Sequence, residues 1–250
     1  MGSRAVYEPG SKTVRCIACP VADTETAVDA GVAGGSAHRE FERRKAAREA
    51  LVKGRVGNLL GGLLIALTDE PQSTRAWERG ASGEQKLGKA LEGLDSVRAL
   101  HDRQVPKTRG NIDHIVIGPA GVFVVDAKHY RGLIQVRDIG GLFKVDERLF
   151  VGQRDCSQLA DNMGWQVRAV QDVLDRTPVD CGGVTVAPVL CFIDGEWPLL
   201  GAPNRYKGVH LEGPRSLKRL VTRTYLVGQT VIDELTGLLA KALPAKETRT

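Results

Sequence analysis

The chain has 250 residues, 42% hydrophobic and 26% charged, with a formal net charge of +5. That is ordinary globular composition and enough length to bury one substantial core with an appendage; it excludes a disordered or collagen-like chain. The net charge permits a polyanionic partner without requiring one. The start lacks a charged segment followed by an apolar stretch, so no secretory signal is expected. The longest apolar run, Leu59–Leu67, is about half what a bilayer span needs. The expected compartment is the cytoplasm, with no membrane span.

Five cysteines form an odd set without a disulfide framework. Cys16 and Cys19 have the spacing of a zinc knuckle, but zinc takes four ligands and no second CxxC is present. Residues 20–36 are small, acidic and glycine-rich, which predicts a linker. Ser36 then stands where a helix cap would, with Glu40 near the capping-box position, and predicts a helix over about 37–55. Seven Lys/Arg (39, 43, 44, 45, 48, 53, 55) face three Glu (40, 42, 49). Pairs such as Glu40–Arg44 and Glu49–Lys53 fit a solvated helix; the alternative is an arm for nucleic-acid phosphates. The Leu59–Leu67 run is expected to pack on the main domain as a short helix or segment.

From about residue 76 the pattern changes. Glu84, Leu87, Leu91 and Leu94 trace one stripe of a helix ending near Gly93. An acid on that stripe is either a boundary residue or a ligand aimed at a site. Val97–Val105 reads as a strand, and Pro106–Gly110 turns the chain, leaving Lys107 and Arg109 beside the start of the next strand.

Residues 111–132 are the centre of the sequence. Two Ile/Val-rich runs flank Gly118-Pro119-Ala120-Gly121, which predicts a hairpin with both faces buried. Pro119 cannot take positive φ, so a two-residue primed turn starting at Pro is excluded. A four-residue loop around a type I turn pairs Ile117 with Val122 and places Asp113 opposite Asp126, with Cβ atoms roughly 4.5–5.5 Å apart. Lys128 shares their face. A three-residue loop would instead put Asp113 opposite Ala127. Opposed buried carboxylates repel, and a divalent cation relieves the repulsion; Mg²⁺ takes one or two carboxylates and completes its shell with water and phosphate oxygens. The alternative is a hydrated strand end with Lys128 as ion-pair partner. Parity puts His114 and His129 on the other face, so they receive no chemistry.

Ile112-Asp113-His114 followed by Asp126-Ala127-Lys128 resembles the D…(D/E)xK signature of restriction-endonuclease-like PD-(D/E)xK nucleases. The longer string from Asn111 to Gly132, ending in Tyr130-Arg131-Gly132, resembles more narrowly the nuclease-related domain (NERD). The resemblance covers roughly residues 75–175. It implies a Mg²⁺- or Mn²⁺-dependent nuclease acting on DNA, with RNA as a further substrate class. Asp113 and Asp126 would be metal ligands, with the Ala127 carbonyl as an extra one. Lys128 would be catalytic, and Glu84, within the matching Gly83-Glu84, an auxiliary ligand. Gln166, polar on the apolar face of a helix over 157–175, would position, and Lys107, Arg109 and Arg131 would grip flanking phosphates. The segment around Cys16 and Cys19 resembles half of a zinc ribbon and is read as a remnant. The second acid is more often Glu in the family; Asp126 is allowed. An idle binding module on the same scaffold is the rival reading.

Beyond Gly132, short strands are expected at 133–136, 142–145 and 149–151, then the helix just named, a strand at 184–193 and a short one at 208–211. Pro188 implies an edge or a bulge in the 184–193 strand. Helices at about 214–226 and 229–242 close the domain, with a frayed tail from Pro244 and a homo-oligomer as one option. The sum is an α/β fold: a mixed central sheet flanked by helices, with an N-terminal helical appendage. The expected division is 1–35 ribbon remnant and linker, 36–74 basic helix and apolar segment, 75–243 nuclease-like domain and 244–250 tail.

Overall fold

The structure is a computed structural model that describes residues 5–8, 13–16, 28–56, 72–108, 110–141, 144–177, 184–223 and 227–246. The Leu59–Leu67 run, Cys19 and Arg109 lie outside the described residues. An N-terminal antiparallel pair, β1 (Ala5–Glu8) and β2 (Thr13–Cys16), precedes helix α1 (Gly35–Val56) and helix α2 (Gln72–Glu92). Three antiparallel strands come next: β3 (Arg98–Gln104), β4 (Asn111–Gly118) and β5 (Gly121–Lys128). After them come β6 (Gly132–Asp138), β7 (Glu147–Val151), β8 (Arg154–Asp155), α3 (Ser157–Asp161) and α4 (Met163–Leu174). The chain finishes with β9 (Val186–Phe192), β10 (Gly195–Glu196), β11 (Arg205–Tyr206), β12 (Val209–Glu212), α5 (Pro214–Thr222) and α6 (Gln229–Ala242).

The main sheet has the order β11-β12-β9-β5-β4-β3, parallel from β5 through β9 to β12 and antiparallel elsewhere. A mixed sheet of this kind is dictated by the connections. A tight turn joins β4 to β5, whereas β5 reaches parallel β9 through a long crossover. A second sheet, β10-β6-β7-β8, draws three of its four strands from that crossover.

Alternation in β4 and β5 divides the core between two faces. Val116, Phe123 and Val125 meet Leu87 and Leu91 of α2 and Leu217, Leu220 and Val221 of α5. Ile115, Ile117, Val122 and Val124 meet Val170 and Leu174 of α4 and Ile232, Leu235 and Leu239 of α6. Val116, Val122, Val124, Val125, Ile115 and Ile117 are fully buried. At about 1.5–3 kcal/mol for each large aliphatic side chain removed from water, this hairpin anchors the fold.

Several expectations change. Helix α1 begins at Gly35, and Ser36 does not cap it: its hydroxyl donates to Asp102 Oδ1 at 2.5 Å. Glu40 does not close a capping box but accepts from Arg43 and Arg44, so a long-range acid and a local ion pair outcompete the cap. Residues 157–175 form two helices separated at Asn162. Of the expected strand at 142–145, residues 142 and 143 lie outside the described residues; Lys144 forms an isolated bridge with Gly141, and Val145 is 74% exposed. By strand order β9 is interior, against the expectation from Pro188. Its ladder to β12 runs from Val189 to Cys191, so at Pro188 the described neighbour is β5 alone and the missing N–H disrupts no β12 bond. The start of the tail is docked: Gln104 N–H donates to Pro244 O and Lys246 N–H to Asp102 O, each at 2.9 Å. The described end of the expected linker is docked too, with His101 N–H donating to Ala30 O at 2.7 Å. Among the described residues no helix is long and apolar enough to cross a membrane.

Candidate active site

The hairpin register decides whether the acids meet. Ile117 pairs with Val122 and His114 with Val125, the register of the four-residue loop. Gly118 also pairs with Gly121, leaving Pro119 and Ala120 at the tip. Neither tip residue has positive φ; Gly121 takes it instead, at +126°, which a side chain would resist. One step beyond the His114–Val125 pair, the same register sets Asp113 opposite Asp126.

At that open end the strand ladder gives way to side-chain bonds. Ala127 N–H donates to Asp113 Oδ2 at 3.2 Å. The Lys128 ammonium donates to Asp126 Oδ1. Asp126 is buried, 7% exposed. Burial, with the Asp126 and Glu84 charges, pushes the Asp113 carboxyl well above the usual carboxylate range. Lys128 is held above the ordinary lysine value by Asp126 and Asp113 despite a desolvation cost that acts the other way.

Glu84 arrives from helix α2, which lies over the other face of the sheet and reaches this end. Its carboxyl is raised to about 7, first by burial and then by Asp102 and Asp126, while Lys128 and the Gly34 N–H act in the opposite sense. Gly34 sits in the left-handed region at φ +73°, and a Cβ there would stand 2.6 Å from Ala81 O. A glycine is therefore required for the chain to pass this close to helix α2.

The site unites three acids and one ammonium in a poorly solvated place. If all were ionised the cluster would carry two uncompensated negative charges, and burial favours the protonated forms of Asp113 and Glu84. Among the described residues no group of three or more His, Cys, Asp or Glu is already set as a metal cage. The donor set nevertheless fits a hard divalent cation, which needs only one or two carboxylates and oxygen ligands besides.

The remaining candidates divide. Gln166 is buried on α4, on the face of the acids, and its Oε1 has no partner. Lys107 is exposed in the turn before β4 at φ +64°. Arg131 is 80% exposed and pairs with Asp194 at 3.7 Å. His129 Nδ1 lies 3.1 Å from Asp194, and His114 Nδ1 lies 2.8 Å from His101 Nδ1 on the opposite face from the acids. Burial and the His101 charge lower His114 to about 3, so it is neutral at physiological pH.

Sequence reasoning missed Asp102. It is 3% exposed, has φ +47°, and accepts from Ser36 Oγ at 2.5 Å, Arg39 Nη2 at 2.7 Å and Asn111 Nδ2 at 2.9 Å. The one signal was its position, an acid between His101 and Arg103 within a strand that must be covered on both sides.

No curated protein and no solved structure matches the chain. A family model does: residues 79–193, the stretch that carries Glu84, Asp113, Asp126, Lys128 and Gln166, match the nuclease-related domain (NERD).

Proposed function

We propose that the protein is a Mg²⁺- or Mn²⁺-dependent nuclease that hydrolyses phosphodiester bonds in DNA. The observation that carries this reading is the cross-strand pair Asp113–Asp126 with Lys128 on the same face, at the end of a hairpin whose register could have separated them. Asp113 and Asp126 would hold the cation, with the Ala127 carbonyl and Glu84 as further oxygen donors. Bound there, a divalent cation would supply Lewis-acid stabilisation of charge growing on the phosphoryl oxygens.

The chain's own groups then have distinct tasks. The Lys128 ammonium stays protonated across physiological pH and offsets negative charge on the phosphate. Glu84, brought beside Asp126 and Lys128 by helix α2, would take a proton from an attacking water. In that step the water oxygen bonds to phosphorus, the ester P–O bond breaks, and the leaving oxygen departs with the bonding pair and is protonated from solvent. Gln166, with its unpartnered Oε1, positions a group at the site, and Lys107, Arg109 and Arg131 contact flanking phosphates.

The rival, a binding module without catalysis, draws support from the lack of a preformed three-ligand cage among the described residues. Against it, three acids around one lysine cost folding stability and serve no packing purpose. The deciding experiment incubates linear, circular and single-stranded DNA, and RNA, with and without Mn²⁺, beside Lys128→Ala. Metal-dependent cleavage lost in the variant is the expected result. Binding without cleavage would overturn catalysis, and cleavage persisting in Lys128→Ala would remove it from this site.

A further inference from the structure

Helix α1 lies outside the matched domain, yet its first turns are tied to the strand beside the candidate site. Asp102 is the tie. From one side its carboxylate takes Ser36 and Arg39; from the other it takes Asn111, two residues before Asp113 on β4. Its backbone oxygen accepts from Lys246 N–H, and its neighbour Arg103 is bridged to Ala245. One buried acid thus brings the start of α1 and the segment after α6 together next to the same strand.

Between them is a cavity of about 410 Å³ lined by Ser36, Arg39, Glu40, Arg43, Asn111 and Lys246. Its charges are unequal. Asp102, beneath the cavity, neutralises Arg39, fixing that guanidinium in place while leaving its side chain 31% exposed. Glu40 is held by both Arg43, at 2.7 and 2.8 Å, and Arg44, at 2.6 Å, and its carboxyl falls to about 2. The Lys246 ammonium has no carboxylate partner among the described residues. Among the groups at the cavity, Arg39, Arg43 and Lys246 therefore stand against Glu40 and the underlying Asp102, both already engaged.

We propose that this cavity is a phosphate-binding subsite for the DNA strand entering the candidate active site. Asn111 lies about 7 Å along β4 from Asp113, at a rise of about 3.3 Å per strand residue, which is within reach of the phosphates next to a bond held at Asp113. Arg39 supplies an oriented guanidinium fork, and Lys246 supplies a mobile point charge. The inference rests on the nuclease reading for its ligand, but not on catalysis.

Binding of fluorescein-labelled duplex and single-stranded DNA, and of RNA of equal length, is measured by anisotropy in EDTA across a NaCl series. Wild type, Lys246→Gln, Lys246→Glu and the exposed Arg219→Gln are compared, and each is assayed separately for Mn²⁺-dependent cleavage. Lys246→Gln should weaken DNA binding by on the order of 3- to 10-fold and reduce the salt slope by about one, with a larger loss for Lys246→Glu. Arg219→Gln should leave the slope unchanged. Equal losses in Lys246→Gln and Arg219→Gln, an unaltered slope in Lys246→Glu, preference for RNA, or no binding by wild type would each overturn the subsite. Wild-type cleavage with unaltered binding in the Lys246 variants would sink the subsite and keep the nuclease. Altered binding without any cleavage would do the reverse.

Discussion

Glu84→Gln tests the electrostatics of the site most directly. In the metal-free fold the Glu84 carboxyl keeps its proton up to about pH 7, against an ordinary value of 4.5. At 1.36 kcal/mol per pH unit, that difference corresponds to about 3 kcal/mol. Between those pH values the native state holds a proton that the unfolded chain has released, so stability falls as pH rises through the window. Above pH 7 the full penalty is present; below pH 4.5 it is absent. Glutamine retains the shape and an oxygen for the Gly34 N–H but cannot ionise. It should match wild type near pH 4.5 and exceed it by on the order of 2–3 kcal/mol at pH 8. Urea unfolding in EDTA at pH 4.5, 6 and 8 measures this. Asp113, shifted in the same direction, and His114, shifted in the opposite one, act alike in both proteins, so the difference between them isolates Glu84. A gap between wild type and variant that stays constant across pH would refute the reasoning.

The other variants act on the same charges or on the buried polar groups around them. Asp113→Asn removes the group opposed to Asp126, so it should stabilise the metal-free protein at pH 8 and abolish the rise in Tm that Mn²⁺ gives wild type. That Mn²⁺ shift should itself be larger at pH 8 than at pH 5.5, since binding must displace protons from Asp113 and Glu84; a differential scanning fluorimetry titration at the two pH values decides it. Lys128→Ala should lower metal-dependent cleavage by on the order of 10²-fold or more with the circular dichroism spectrum unchanged. Arg103→Met should destabilise the fold by about 3 kcal/mol or more in urea unfolding. Its fully buried guanidinium donates to Leu243 O at 2.6 Å, Ala240 O at 2.7 Å and Asp29 O at 2.8 Å, and methionine would leave all three carbonyls unpaired.

The hairpin was legible because its determinants are local. Proline at 119 restricts the turn, the turn sets the register, and the register alone makes Asp113 and Asp126 neighbours. The stripe of α2 was legible for a similar reason, since Glu84, Leu87 and Leu91 lie at helical spacing, but the stripe could not say that Glu84 would reach around the sheet to the acids. The break at Asn162 was not legible: the apolar face continues across it from Leu159 to Met163, so periodicity sees one helix where the backbone makes two. Pro188 shows the converse. Its local chemistry was read correctly, but strand order is a global property, and a ladder to the partner strand that starts one residue later accommodates proline within an interior strand.

Asp102 explains why the appendage itself could not be placed from sequence. Its partners Ser36 and Arg39 lie 66 and 63 residues away along the chain, and nothing in the sequence of the helix distinguishes Arg39 from its six neighbours of like charge. The distinction is made by burial. An aspartate excluded from water in an edge strand must be compensated, and the groups able to do so are those that the docked Ala30–Gly35 segment delivers. That segment simultaneously presents the Gly34 N–H to Glu84. Structural compensation of Asp102 and tuning of Glu84 are therefore one arrangement: moving helix α1 would release a buried charge and alter the acid that the proposed chemistry uses. A segment that reads as a solvated helix in isolation is, in the folded chain, packed on α2 and tied to β3 through Asp102.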